Sequence, residues 1–338
     1  MKKIKTKNLV WMSWKDIKNP LAGGAEQTTD SYLKMLSAKK FNITLITSNF
    51  RGGKSEEFLN GYKIIRVGNR YTVYIKAFLY FKKKLEQKAD IVVDECNTIP
   101  FFSKFYTKKK VFLLIQQQAL EVWFYQMIFP ISIIGYFLEN FYLKLLKNLT
   151  TFTFAKSTKK DLKLLGFKKI HILKEDCKLK FNKKISQIKK FKNPTILFFS
   201  NLRPMKRFHH VLDAFEICKK NIGNLKLLVA GGGNGVYYKY VQKRIKDSKY
   251  TNDIKYLGKI QKISEKINTF SRCHYIVCTS VREGWGIIVS EAGICGTPAI
   301  VYKINGLKDA VNQGRSGIIS NPNILDLSIK INNAIKII

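Results

Sequence analysis

The sequence predicts an α/β protein of two domains, each with a parallel sheet covered by helices. Short apolar, β-rich runs alternate with helical patterns from one end of the chain to the other, and successive βαβ units of this kind build parallel sheets. With 338 residues the chain is long enough for two domains. The alternation pauses in a Lys-rich stretch, 175–193, and restarts after Pro194. We therefore predict domains over residues 1–180 and 190–338.

The first domain begins with a strand over Asn8–Trp14, and the Gly23-Gly24 turn joins it to a helix over Glu26–Ala38. Further strands are predicted at Phe41–Thr47, Tyr62–Val67, Asp90–Asp94, Val111–Gln116, Thr151–Phe154 and Lys169–Leu173. A helix follows Ser157, whose hydroxyl suits an N-cap, and stops at Gly166, which suits the left-handed position after a helix.

The second domain opens with Thr195–Ser200, a near-continuous apolar run typical of a parallel strand buried on both faces. The later strands are predicted at Leu225–Ala230, Ile254–Leu257, Tyr275–Thr279 and Ala299–Tyr302. Helices are predicted between them at Arg207–Lys220, Tyr237–Asp247, Ile263–Arg272 and Ile287–Cys295. In such sheets ligands bind beyond the carboxyl ends of the strands.

The composition bears on partners and compartment rather than on fold. Lys and Arg number 61 against 23 acidic residues, a formal charge of +38, which suits a generic basic surface, anionic lipid headgroups or a phosphate-rich ligand. No recognition module is visible, so we expect no nucleic-acid partner. The six cysteines form no C-x-x-C pair, which indicates reduced thiols and a cytoplasmic protein.

One apolar run, Val122–Leu138, carries no charge but is shorter than the roughly 20 residues of a membrane-spanning helix. It predicts a buried helix or a helix lying at an interface. Together with the basic surface it leaves open a peripheral position at the inner face of an anionic membrane.

The segment Glu283–Glu291 is the most informative for chemistry, because it follows a predicted strand and opens a helix. Gly284 and Gly286 allow the backbone to approach a ligand closely. The first helical N–H groups, near Ile287 and Ile288, can receive phosphate oxygens. The two terminal carboxylates can accept hydrogen bonds from two sets of sugar hydroxyls, with a diphosphate between them. A helix cap with a surface carboxylate is the alternative.

Two other glycine-rich turns, Pro20–Glu26 and Ala230–Gly235, follow strands and suit either close approach to a phosphate or a simple tight turn. Lys206 precedes a helix, where the dipole disfavours a cation unless an anion is bound. A phosphate contact and a solvated position both remain open for it. The chain has neither a D-x-D pair nor a P-loop, so we expect no metal or other cofactor, and a phosphate leaving group stabilised by Lys206 and helix amides.

Together these segments resemble the retaining, family 4 glycosyltransferases of the GT-B fold, over nearly the whole chain. The segments that carry the resemblance are Trp14–Ile17 with Pro20–Glu26, the Lys206 loop, Tyr256–Gly258, Glu283–Glu291 as an E-x7-E signature, Gly296–Pro298, and Gly306–Asp309 continued by Gly314–Gly317. The resemblance implies two Rossmann-like domains whose parallel sheets face one interdomain cleft. The first would be the acceptor side and the second would bind a nucleotide-sugar donor.

The resemblance also implies roles for residues. Glu283 and Gln116 would be catalytic, with Glu283 hydrogen-bonding the donor sugar near its reacting carbon. Glu291 would hold the ribose and Lys206 the diphosphate. The donor site as a whole would comprise Gly23, Gly24, Asn201, Lys206, Gly232, Gly284, Trp285, Gly286, Ile287, Ile288 and Glu291.

Three departures from the family pattern stand out. Gln116 lies where relatives usually carry His, and an amide hydrogen-bonds a sugar hydroxyl but does not titrate. Asn201 stands where an Arg commonly assists Lys206, which removes one charge from the diphosphate clamp. The usual C-terminal helix that crosses back to the first domain has little room before Ile338.

The resulting hypothesis is a retaining, metal-independent glycosyltransferase that moves a sugar from a UDP- or GDP-sugar to a glycan, lipid-linked or envelope acceptor. Two alternatives stay open at this point. One is a GT-B-like sugar-nucleotide epimerase, which needs no acceptor. The other is a non-catalytic sugar-nucleotide-binding paralogue, motivated by Gln116 and Asn201.

Overall fold

The computed structural model describes residues 6–174, 177, 179–312 and 316–337. The chain divides into two compact units, residues 1–176 and 177–338. Each unit has one sheet, and all strand pairs but one are parallel. The predicted α/β class with two parallel sheets is confirmed. Gly314 and Arg315, which contribute to the family resemblance, and the terminal Ile338 lie outside the described residues.

The sheet of the first unit has the strand order β3-β4-β2-β1-β5-β6-β7-β8. The strands are β1 Asn8–Met12, β2 Asn42–Thr47, β3 Glu56–Leu59, β4 Tyr62–Arg66, β5 Ile91–Cys96, β6 Lys110–Ile115, β7 Thr150–Thr153 and β8 Ile170–Ile172. Only β3 is antiparallel to its neighbour. It is an exposed edge strand with two leading glutamates, so it has no apolar run and was not predicted.

The helices of the first unit are α1 Gly24–Ala38, α2 Val73–Tyr80, α3 Trp123–Gln126, α4 Ile131–Leu145 and α5 Lys156–Leu164. A π-helical turn, Phe81–Leu85, follows α2, and single 3-10 turns cover Ser103–Phe105 and Leu120–Val122. The apolar run from residue 122 to 138 is therefore divided between α3 and α4. No helix among the described residues combines the length and apolar character needed to cross a bilayer.

The limits of α5 test two local predictions. Gly166 has a φ of +91° and lies just after the helix, so its left-handed assignment is confirmed. The N-cap assignment of Ser157 is wrong. Ala155 occupies the cap with an extended backbone, and Ser157 lies buried inside the first turn. The reason is the short connection: β7 ends at Thr153 and the helix already begins at Lys156.

The sheet of the second unit has the order β11-β10-β9-β12-β13-β14. The strands are β9 Thr195–Phe199, β10 Lys226–Ala230, β11 Ile254–Gly258, β12 Tyr275–Cys278, β13 Ala299–Tyr302 and β14 Gly317–Ser320. In β9, Ile196 and Phe198 pack into one hydrophobic cluster and Leu197 into another on the opposite face. The strand is thus covered on both faces, as its apolar run predicts.

The helices of the second unit are α6 Lys183–Ser186, α7 Phe208–Lys219, α8 Gly235–Asp247, α9 Ile263–Arg272, α10 Ile287–Ile294, α11 Leu307–Asn312 and α12 Ile324–Ile335, with 3-10 turns at Pro204–Lys206 and Thr251–Asp253. The last helix packs on α7, where Sγ of Cys218 donates to the carbonyl of Ser328 at 3.3 Å. It therefore contributes to the core of its own unit.

The strand order reverses once in the interior of each sheet. The chain enters the first sheet at β1, which has β2 on one side and β5 on the other, and enters the second at β9, between β10 and β12. At such a switch point the loops leaving adjacent strands diverge to opposite faces and open a crevice for a ligand. The fold alone thus marks the loops after β9 and β12 in the second unit.

Candidate active site

The loops that follow β9 and β12 are joined by hydrogen bonds. Oγ1 of Thr279, just after β12, donates to the carbonyls of Lys206 and Arg207 at 2.9 and 3.1 Å. The backbone N–H of Val281 donates to the carbonyl of Met205 at 2.9 Å. Because β9 and β12 are adjacent and parallel, both loops leave the same edge of the sheet. This fixes the Lys206 loop against the start of the E-x7-E segment.

Lys206 and Glu283 form an ion pair between the two loops. Oγ of Ser280 donates a second hydrogen bond, of 2.7 Å, to the same Oε1 of Glu283. Both charged side chains are about one-fifth exposed, so they are accessible yet held. The structure therefore brings together the two residues predicted to grip the diphosphate and the donor sugar.

Glycines let the backbone of the Glu283 loop lie close to the segment before α11. A Cβ on Gly306, whose φ is +82°, would stand 2.2 Å from the carbonyl oxygen of Glu283. Gly286, with a φ of +89°, caps α10 at its N-terminus, so the N–H groups of Ile287 and Ile288 open that helix as predicted. Nε1 of Trp285 donates to Oγ of Ser290 at 3.0 Å and holds the indole over the first turn.

Glu291 lies one turn inside α10, as predicted, but its carboxylate is buried and paired with Lys266 of α9. The Nζ of Lys266 also lies 5.3 Å from the centre of the Phe199 ring, at the end of β9. Sequence reasoning missed Lys266, because one Lys in an amphipathic helix of so basic a chain carries no signal. Glu291 therefore has a positive partner next to the proposed nucleotide site.

The glycine turn after β10 adjoins the Lys206 loop. The N–H of Leu202 donates to the carbonyl of Gly232 at 2.8 Å, which places Asn201 and Gly232 on neighbouring loops. A Cβ on Gly231 would stand 1.8 Å from the carbonyl oxygen of Ser200. The glycine is thus required by the approach of two backbones, and this part of the turn has a structural reason of its own.

In the first unit, Gly23, Gly24 and Gln116 meet at the N-terminus of α1. The N–H of Gly23, the N-cap residue, donates to Oε2 of Glu26 at 2.6 Å, so the Glu26 side chain satisfies one free donor at the helix start. Nε2 of Gln116 lies 3.3 Å from the carbonyl of Ala25, to which it donates. Gln116, which directly follows β6, thus contacts the start of α1, the helix that the Gly23-Gly24 turn opens.

Gln116 also donates to a buried carboxyl group, Oε1 of Glu95, at 2.8 Å. The same group accepts hydrogen bonds from Nε1 of Trp11 at 2.7 Å and from Oγ1 of Thr29 at 2.8 Å. Burial raises the pKa of Glu95 to about 7, against the lowering effect of these three donors. The predicted strand ended at Asp94 and so missed Glu95; two acidic residues in an apolar strand were the available signal.

The part of the chain that the structure describes holds no cluster of three or more His, Cys, Asp or Glu side chains arranged to bind a metal ion.

Comparison with known proteins agrees with this geometry. Residues 180–337 match the family "Glycosyl transferases group 1". Among curated relatives, N-acetyl-alpha-D-glucosaminyl L-malate synthase of Bacillus anthracis is 24% identical over 147 residues, which are 42% of this chain and 37% of that protein. An uncharacterized glycosyltransferase of Methanocaldococcus jannaschii is 31% identical over 140 residues, 40% of this chain and 36% of the other. The matches thus span little more than a third of these relatives.

Solved structures match over almost the full chain. Sucrose-phosphate synthase from Thermosynechococcus elongatus superposes with a TM-score of 0.77 at 14% identity, covering 98% of this chain and 90% of that one. Anabaena HepE in complex with UDP and glucose gives 0.71 at 15% identity, with the same coverage. The chain therefore has the fold of the GT-B glycosyltransferases. Within it, the second unit is similar to the glycosyl transferases group 1 family over residues 180–337.

Proposed function

We propose that the chain transfers a sugar from a nucleotide-sugar donor, UDP- or GDP-linked, to an acceptor hydroxyl, with retention of the anomeric configuration and without a metal ion. The acceptor would be a glycan, a lipid-linked sugar or another envelope component. The observation that carries this proposal is the Lys206–Glu283 pair at the switch point of the second sheet, in a unit that matches a glycosyltransferase family.

In the reaction the bond between the anomeric carbon and the phosphate oxygen breaks, and a bond from that carbon to the acceptor oxygen forms. The nucleoside diphosphate departs with the bonding electrons, and the acceptor hydroxyl gives its proton to an oxygen of this leaving group. Lys206 and the first N–H groups of α10 would stabilise its negative charge. These fixed donors would stabilise the leaving group as a divalent cation does in enzymes with an acidic metal site.

The ion pair seen in the structure suits a resting site. While no donor is bound, Lys206 and Glu283 satisfy each other's charge. A diphosphate would compete for the Lys206 ammonium, and the hydroxyls of the donor sugar would supply hydrogen bonds to the Glu283 carboxylate. Glu291 would exchange part of its contact with Lys266 for the nucleotide ribose in the same way. Binding of the donor would therefore replace two internal pairs by contacts with the ligand.

Residues of the first unit would bind sugar as well. Gly23 and Gly24 would let the backbone at the start of α1 approach a sugar ligand closely, and Gln116 would hydrogen-bond a sugar hydroxyl. Since an amide neither gains nor loses a proton near neutral pH, Gln116 would position the sugar rather than act as a general base.

A thermal-shift series with UDP, GDP, ADP and their sugars tests the proposal. A ligand at about 100 times its Kd stabilises a protein by about 2.7 kcal/mol, so one nucleotide class should raise the melting temperature clearly. Lys206→Met should weaken that shift, whereas Lys239→Met, at an exposed position of α8, should not. EDTA should leave the shift unchanged. If none of the nucleotides stabilises the chain, the proposal fails.

A further inference from the structure

The outer face of α4 in the first unit is apolar and uncovered. The helix packs inward through Ser132, Gly135, Glu139, Tyr142 and Leu143. Its outward side chains, called here the α4 face, are Ile131, Ile134, Phe137, Leu138, Phe141 and Leu145, and all are exposed, Phe137 by 71% and Phe141 by 62%. Ile128 and Phe129 extend this surface just before the helix. A contiguous surface of this kind is unusual on a monomer and marks an interaction site.

The α4 face is held rigidly in place. Glu139 accepts hydrogen bonds from the N–H groups of Ala119 and Leu120 and from Nε1 of Trp123, at 2.6 to 3.1 Å. Gly135 lies against the Trp123 ring so closely that a Cβ there would stand 2.3 Å from it. The exposure of the phenylalanines is therefore built into the packing and does not come from a frayed helix.

A row of lysines lies at the edge of the sheet where α4 ends. The strands β1, β2, β5, β6, β7 and β8 run parallel and so begin at one edge. Exposed lysines at or within three residues before these strand starts, called here the lysine edge, are Lys7, Lys39, Lys40, Lys88, Lys108, Lys110, Lys147, Lys168 and Lys169. The nearby carboxylates are engaged: Asp90 accepts the N–H of Asn8 at 2.8 Å and Glu86 pairs with Lys82.

We propose that the α4 face and the lysine edge together dock the first unit on an anionic lipid bilayer. The phenylalanines and leucines would enter the boundary between headgroups and acyl chains, and the lysines would contact the headgroups. With 15 residues α4 is about 22 Å long, too short for a hydrocarbon core of about 30 Å, so it would lie in the plane of the surface. This deepens the proposed function, since a lipid-linked acceptor lies at such a surface.

Charge favours a bilayer over a second copy of the chain. A twofold contact between copies places identical surfaces together, and each copy carries a formal charge of +38. Two lysine edges near one interface would repel each other. An anionic bilayer instead offers apolar depth for the α4 face and negative charge for the lysine edge at the same time.

Flotation with lipid vesicles tests the docking without any enzyme assay, so its outcome is separable from that of the proposed function. We expect binding to phosphatidylcholine vesicles that contain phosphatidylglycerol, weak binding to phosphatidylcholine alone, and loss of binding at high salt. Phe137→Ser with Phe141→Ser should weaken binding at least tenfold. The matched control is Leu325→Ser with Ile329→Ser, an i, i+4 pair on α12 that is 69% and 53% exposed, and it should bind like the wild type.

The lysine edge has its own matched pair of variants. Lys108→Glu, Lys110→Glu and Lys147→Glu together should weaken binding about a hundredfold or more, since each lysine near an anionic surface contributes about a factor of five. Lys239→Glu, Lys243→Glu and Lys246→Glu, exposed on α8 of the second unit, change the net charge equally and should have little effect. Melting temperatures confirm that the variants fold.

Three results would overturn the docking proposal. The first is a wild-type chain that does not bind anionic vesicles, or that binds them no better than the α4-face variant does. The second is an equal loss of vesicle binding in the two triple lysine variants, which would show that net charge alone, and not the lysine edge, determines binding. A dimer that Phe137→Ser with Phe141→Ser converts to a monomer would show that a second copy covers the α4 face.

Discussion

Gln116 and Glu95 are joined by a hydrogen bond of 2.8 Å from Nε2 to Oε1, so the amide that stands where the family resemblance predicts a His is oriented by a buried acid. The carboxyl group also serves Trp11 and Thr29, and one group thus fixes donors from two strands and a helix. This arrangement leaves the carbonyl oxygen of the Gln116 amide as its remaining acceptor.

Glu95 should make the stability of the chain depend on pH. Its pKa is raised from 4.5 to about 7 in the folded state, so the folded chain holds a proton that the unfolded chain loses as the pH rises above 4.5. The stabilisation present below pH 4.5 is therefore lost progressively up to about pH 7, by about 3 kcal/mol at most. In Glu95→Gln this component is absent. Urea unfolding of both proteins between pH 4.5 and 8 measures this component. If the free energy of unfolding depends on pH in the same way in both proteins, the raised pKa of Glu95 is contradicted.

Gly306 should be required for the position of Glu283. Alanine there would bring a Cβ within 2.2 Å of the Glu283 carbonyl oxygen, whereas at Gly296, with a similar φ of +70°, the space around a Cβ is open. Both substitutions should cost about 1 kcal/mol for the left-handed backbone. Only Gly306→Ala should also weaken donor binding, by tenfold or more. If a titration gave equal donor affinities for the two variants, Gly306 would have no role in positioning the donor site.

The ion pair of the half-buried Lys266 with the buried Glu291 should be strongly coupled. Removing one partner of a buried ion pair costs about 3–5 kcal/mol, because the other charge loses its counter-ion. Lys266→Met should therefore destabilise the chain more than Lys266→Met with Glu291→Gln, which removes both charges. The exposed pair of Lys63 and Glu56 is the control and should couple by less than about 1 kcal/mol. A double-mutant cycle from denaturant unfolding gives both energies, and similar values would show that burial does not matter here.

The sequence predicted the fold well because strong local signals specify it. The apolar run of β9 and the alternation of strands with helices indicate two parallel sheets, and Gly166 and Gly286 end or begin helices where their freedom is needed. The antiparallel β3 was missed because an exposed edge strand buries little and needs no apolar pattern.

The site was predicted in part, and for different reasons. Glu283 and Lys206 precede helices directly after strands, so their chain positions locate them. Glu95 and Lys266 act through contacts made by distant elements, and local patterns do not encode such contacts. For the run that contains α4, a buried helix and a helix lying at an interface both stayed open, because an apolar run does not tell which of its side chains the rest of the fold will cover.

The most direct test of the account is the rate of sugar transfer by Glu283→Gln, with the nucleotide-sugar that the thermal-shift series identifies. Because the carboxylate would stabilise charge at the reacting sugar, we expect a loss of about 100- to 1000-fold. Glu265→Gln, at an exposed position of α9, should transfer at the wild-type rate, and both variants should keep the wild-type melting behaviour. Transfer by Glu283→Gln at an undiminished rate would contradict the central claim that the Lys206–Glu283 pair marks the active site.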